Sequence, residues 1–288
     1  RNNSFDARGY FENRTKPQAP FHQNQFGFVL AGPVWIPKLY NGRDRTFFMA
    51  DYEGLRQNQV LAQPDSVLTP LMRQGDFTDY SGTSSNPFAT PAQAFPGHSI
   101  PSSLLSPQAQ KALQYMPLPN LPGIVNNYLA SIRNSNTTNQ TIDRLDQSFG
   151  EKIRLFFRYA WADTALVNGN TNPNNGYNQP VTDRNFVGGY TQVLTPNMVN
   201  DVRFGRQHTT IDSVNFFATQ ALANAGTELG IPGFTTTLAN SGLPALGITG
   251  YMPIGGQNMS SSNWYQTDTT WQGADLFSWT HGAHSISA

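Results

Sequence analysis

An all-β fold is what this sequence predicts: an antiparallel meander forming part of a transmembrane β-barrel wall, with long extracellular loops that contain short helices. Three observations point there. First, apolar residues recur at every second position, as in EKIRLFFRYAW, where Ile153, Leu155, Phe157, Tyr159 and Trp161 share one face and Lys152, Arg154, Phe156, Arg158 and Ala160 the other. Second, the expected connections alternate, short at 37–44, 149–151, 195–197 and 280–283 and long at 57–139, 163–184 and 212–262. Barrels of the outer membrane sort their loops by end in this way, and a sandwich has no reason to. Third, mean hydropathy is −0.44 although only 12% of residues are charged, so uncharged polar residues carry the balance. An aromatic content of 12% argues against disorder.

The elements follow in order. Within HQNQFGFVLAGPVWI, Phe26, Phe28 and Leu30 oppose Gln25, Gly27, Val29 and Ala31; within RTFFMADYEGLR, Phe48, Ala50 and Tyr52 oppose Met49, Asp51 and Glu53. Inside the first long loop, SPQAQKALQYMP reads as a short helix with Ser106 as N-cap, Pro107 in the first position and Pro117 as its stop. NQTIDRLDQS and KIRLFFRYAWA form a hairpin. If Phe149, Gly150 and Glu151 are its loop, Ser148 opposes Lys152, Asp146 opposes Arg154 and Leu145 opposes Leu155. NFVGGYTQVL and MVNDVRFGRQHTTI meet at a tight TPN turn. FFATQALANAGTELG reads as a helix ended by Gly230 and Pro232. NWYQTDTTWQGADLFSW then runs through THGA into HSISA, giving about eight strands in sequential order.

Alternation assigns faces. Candidate lipid-facing residues are Phe28, Phe157, Tyr159, Trp161 and Phe204, and candidate lumen-facing charges are Asp51, Glu53, Arg144, Asp146, Arg154 and Arg158. The charges would line a solute path, touch a plug, or form an ion-pair ladder on a wet wall. Trp35, Tyr52, Tyr159, Trp161, Trp264, Tyr265, Trp271 and Trp279 fall near the expected strand ends, as an interfacial girdle would. Parity sends Asp143 to the lipid side unless a β-bulge intervenes. Phe77, Tyr80, Phe88, Tyr115 and Tyr128 in the long loops either grip a ligand or pack the loops.

Several classes are excluded or unsupported. A net charge of zero gives no case for nucleic acid. The absence of Cys removes disulfide and thiolate sites, and no run reaches the 18 apolar residues of a membrane helix. None of the five histidines lies in HExxH, and HGAH (281–284) falls in an expected turn. No GxSxG, P-loop or GxGxxG occurs, and NGNTNPNNG lacks the carboxylates of a calcium loop. No catalytic, cofactor-binding or metal residue is expected, and no enzyme. The rival reading is a secreted all-β binding module, glycan-binding or adhesin-like, with long recognition loops.

QAPFHQNQFGFVLAGPV followed by DRTFFMADYEGLR resembles the start of the barrel in TonB-dependent outer-membrane receptors. RQGDF, FPGHSIP, SPQAQKALQYMPLPN, RLDQSFGEKIRLFFRYAW and LGIPGF resemble, in the same order, recurring phrases of the Oar-like subgroup. Full-length members of that subgroup carry a carboxypeptidase-regulatory-like N-terminal domain. The resemblance implies a fragment of the barrel, 1–288, with 1–21 as the first extracellular loop and His22 opening the second strand. That is about a third of a roughly twenty-two-stranded barrel, without plug or closing strands. It also implies residence in the bacterial outer membrane, contact with outer-membrane lipid, and uptake of an extracellular ligand. Energy would come from the TonB complex through the plug, with no cofactor.

Overall fold

The computed structural model describes residues 1–5, 19–82, 84–86, 89–91, 93–218, 222–233, 241–256 and 263–288. Eight strands form one antiparallel sheet in chain order. They are β1 (Phe21–Pro33), β2 (Thr46–Asp65), β3 (Tyr128–Phe149), β4 (Ile153–Asn168), β5 (Tyr177–Thr195), β6 (Met198–Asn215), β7 (Trp264–His281) and β8 (His284–Ser287). Each pairs only with its neighbours in sequence, so the expected meander is what the chain builds. No helix among the described residues is long and apolar enough to cross a membrane, which says nothing about strands.

The strands are longer than their alternating stretches. β3 has 22 residues and β2 has 20, whereas about 9–11 suffice to cross a bilayer. The long connections shrink accordingly to 66–127, 169–176 and 216–263. The additions, such as RNSNTTNQ in β3, are polar on both faces. They carry no hydrophobic period and read as loop, yet the paired neighbour strand satisfies their backbone.

The β3–β4 hairpin corrects the expected register. Its loop is Gly150–Glu151–Lys152, one residue further on, with Gly150 at φ 61. Ser148 therefore lies opposite Arg154, Asp146 opposite Phe156, and Leu145 opposite Phe157. Asp146 instead takes a bidentate contact from Arg144 on its own strand, at 2.7 and 2.8 Å. The partner changed while the face did not, because the slip of the turn moved the pairing by two residues and side chains alternate with period two.

Asp143 lies opposite both Ala50 and Tyr159, with no register shift at that point. No bulge rescues its parity. Its carboxylate accepts from the Thr141 hydroxyl at 3.2 Å.

Buried apolar side chains are scarce in the sheet. Apart from Ala130 and Ile132 of β3, those among the described residues lie in a cap built from the long loops. Among the described residues the cap holds the short helices α1 (Pro70–Arg73), α2 (Pro107–Ala112) and α3 (Ala225–Glu228). α2 starts as its sequence requires, with the Ala109 N–H donating to Ser106 Oγ and Pro107 in the first turn; a 3-10 turn carries it to Tyr115. Gly230, at φ 69, ends the α3 segment.

Gly150 offers a clean test of the hairpin. A β-carbon there would meet nothing within 4 Å, so Gly150→Ala costs only the left-handed backbone, about 1–2 kcal/mol. We expect a lower thermal unfolding midpoint for Gly150→Ala and no change for Glu151→Ala. Equal midpoints for both would remove the role given to this φ.

Candidate functional site

Register places every expected site residue. Opposed residues of an antiparallel pair share a face. Followed from β1 to β7, the pairings put Phe28, Tyr52, Trp161, Arg184 and His208 in one row across the sheet. The next row toward the tight turns runs Leu30, Ala50, Asp143, Tyr159, Phe186, Arg206, Trp271. The one after contains Leu145, Phe157, Gly188, Phe204 and Gly273. All five residues expected to face lipid thus lie on one face, the aromatic face. Two of them pack on other rings of that face: Phe28 lies 6.1 Å from Tyr52, and Phe204 stacks on Trp271 at 5.6 Å.

Not all of the aromatics expected near strand ends lie there. Tyr52, Tyr159 and Trp161 sit in mid-strand, because the strands continue beyond them. They mark where the aromatic half of the face gives way to Thr, Asn and Arg. Trp264 lies opposite Ser213 on the other face, and Trp35 belongs to a two-residue ribbon with Tyr40–Asn41 outside the main sheet.

The six charged candidates share the opposite face. Among the described residues only Arg144 and Asp146 of these six form an ion pair, and Arg144 also lies 4.5 Å over the Phe156 ring. Glu53 accepts from Gln25 and from Gln140, and Asp51 accepts from the Ile142 backbone N–H. Arg158 donates to Asn185 at 3.3 Å. Arg154 has no ion pair among the described residues. The alternation signal missed Asp183, Asp201 and Arg203, which extend this face: Thr191 and Arg203 both donate to Asp201, and Thr209 donates to Asp183. Carboxamides and hydroxyls, more than ion pairs, satisfy the wall. Pairs as exposed as Arg144–Asp146 contribute only about 0–1 kcal/mol.

At the long-loop end the three loops join into one body. Val67, Met72 and Met116 of the first pack with Phe217, Leu229 and Met252 of the third, and Tyr115 meets Phe217 edge-on at 5.4 Å. The second loop is tied in by amides: Asn172 donates to the Tyr115 and Pro253 carbonyls, Asn175 to Pro253, and the Gly255 N–H to Asn175. These asparagines stand in NGNTNPNNG, the run that lacks the carboxylates of a calcium loop; among the described residues no group of three or more metal-ligating side chains occurs. Tyr115 is core, and Phe77 and Tyr128 pack against that core, so these loop aromatics close the cap and do not point outward. Phe88 lies outside the described residues. Burial, and secondly the charge of Glu228, hold the Tyr115 hydroxyl above its ordinary pKa, so it stays neutral.

Arg73 fastens the first loop. Its guanidinium donates to the carbonyls of Leu68, Leu113, Met116 and Pro117, and burial pulls its pKa below the ordinary value. Between α2 and the 244–254 segment a cleft of about 620 Å³ is lined by Ala109, Leu113, Met116, Leu229, Leu246 and Ile254. Arg73→Met would strand buried carbonyls at roughly 1–3 kcal/mol each. We expect protease added to the folded protein to cut within 66–127 much faster, while the eight-stranded sheet stays protected. Unchanged cleavage would show that the guanidinium does not close this loop.

Comparison with known proteins bears on the whole arrangement. Searches of curated proteins and of solved structures found no match. A family model described as an outer membrane beta barrel domain matches residues 1–288. This replaces the secreted-module reading, since a sheet with an exposed aromatic face and its buried core in the loops is what that family's setting demands. The chain belongs to the outer-membrane β-barrel domain family, and its place is the bacterial outer membrane.

Proposed function

We propose that this barrel domain belongs to a TonB-dependent receptor that captures a ligand outside the cell and admits it through the barrel by energised uptake. The aromatic face meets lipid and the charged face lines the lumen. The cap carries the reading: loops that only closed hairpins would not share a buried core, whereas a recognition surface must hold its shape. The cleft in the cap has the size and apolar lining of a small-molecule site. The chain supplies recognition and a path, and no bond chemistry. Coupling to TonB rests on the recurring phrases from QAPFHQNQFGFVLAGPV to LGIPGF, which resemble the Oar-like receptors.

Two experiments test this. Phe28 and Val29 are neighbours on the edge strand with similar exposure, 63% and 69%, on opposite faces. Phe28→Arg should lower the yield of folded barrel in the outer membrane, at about 2–4 kcal/mol if the site lies at mid-bilayer. Val29→Arg, opposite Asp51, should insert normally. Equal behaviour of the two would reverse or erase the face assignment. For energy coupling, the whole protein extracted from outer membranes should be retained by the immobilised periplasmic domain of TonB. Passage through such a column without retention would leave an outer-membrane barrel that is not TonB-dependent.

A further inference from the structure

Gly188 and Gly189 are adjacent in β5 and face opposite ways. A β-carbon on Gly189 would strike the Phe156 ring at 2.0 Å, so that glycine makes room for a side chain of its own protein. A β-carbon on Gly188 would meet only the Phe156 carbonyl oxygen, at 3.9 Å. Nothing among the described residues needs Gly188 to be bare. A glycine inside a strand weakens it, and an open one marks a place where something else approaches closely.

The bare position is the floor of a trench of about 570 Å³ on the aromatic face. Phe157 and Phe204, directly opposite Gly188 on either side, are its walls; Tyr190 and Phe186 close its ends. Toward the cap the next row holds Arg206, about 7 Å further along the strands, and the row after that holds Arg184 opposite His208. Arg184 lies over Trp161 at 5.6 Å and Arg206 over Trp271 at 5.3 Å, so both guanidiniums rest on rings at the cap-side edge of the aromatic band. Asp163 neutralises Arg184 at 2.8 Å. Arg206 has no carboxylate partner among the described residues. Apolar trench and spare cation stand in line along the direction in which a lipid would lie.

We propose that this trench is a site for one anionic, phosphate-bearing lipid of the outer leaflet, with an acyl chain over Gly188 and its phosphate on Arg206, flanked by Arg184 and His208. The apolar trench excludes headgroups, arginine offers paired donors to phosphate, and a headgroup of net negative charge is favoured over a zwitterionic one, whose own cation competes for its phosphate. The proposal rests on the aromatic face meeting lipid, and it is independent of energised uptake.

The test uses the whole protein from outer membranes, reconstituted in bilayer discs of phosphatidylcholine with a minor share of phosphatidylglycerol. Lipids that stay bound on gentle release are weighed by native mass spectrometry. Wild type should retain phosphatidylglycerol about tenfold above its share, and Gly188→Leu and Arg206→Gln should each bring retention back to that share. Gly188→Leu has open space to grow into, so folded migration on unboiled gels should be unchanged; if it does not fold, Arg206→Gln decides alone. Enrichment that survives in Arg206→Gln, retention of the zwitterionic phosphatidylcholine by wild type in equal measure, or displacement by inorganic phosphate would each overturn the site. If the face assignment is what fails, Phe28→Arg will insert normally; if only the lipid site fails, that pair will behave as stated and retention alone will not.

Discussion

A strand surrounded by hydrocarbon can send its backbone N–H and C=O groups only to another strand, because each group left unpaired there costs several kcal/mol. The sheet from β1 to β8 meets this demand in the simplest order, each strand pairing with its neighbours in sequence. Once the ladder is fixed, the faces are fixed with it. Every other side chain points one way, and a row can be followed from Phe28 on the first strand through Trp161 to His208 on the sixth. The separation of aromatic from charged residues is thus a consequence of register, and register is a consequence of backbone hydrogen bonding.

The same constraint explains where the buried core is. A soluble sheet must cover its apolar face with protein. Phe26, Phe157, Phe204 and Trp271 are about half exposed in the chain itself, and on the function proposed above lipid supplies the cover. The loops stand in water and have no such cover. They therefore build a conventional core around Met252, Phe217 and Val67, each fully buried. The polar groups inside it are matched by amides such as Asn127, which both donates to and accepts from the Val67 backbone. The polar extensions of β2 and β3 carry the ladder up to that cap, and Met252 N–H bonds to the Ser66 carbonyl just past the end of β2.

Glycine serves this arrangement in two ways that only position distinguishes. Gly150 supplies a left-handed turn. Gly27, Gly54 and Gly189 sit where a β-carbon would collide with a neighbouring backbone or ring, so they set how closely rings and strands approach. Gly188 belongs to neither group.

The sequence by itself determined the class of fold, the strand order and the faces. Alternation is local, with a period of two, and it survived a misplaced turn: Asp146 and Arg154 share a face although they are not partners. The helix at Ser106–Pro107 was legible for the same reason, since capping is decided within four residues. What the tertiary structure alone decided is long-range. The lengths of β2 and β3 depend on pairing between polar segments that carry no period. The partner of Asp146 depended on one residue of turn. The inward packing of Tyr115 and the roles of Asn172, Asn175 and Arg73 depend on three loops, far apart in the chain, that meet only after the sheet has brought their ends together. Local periodicity encodes which way a side chain points; what it meets there is set by the distant segments that the ladder carries to it.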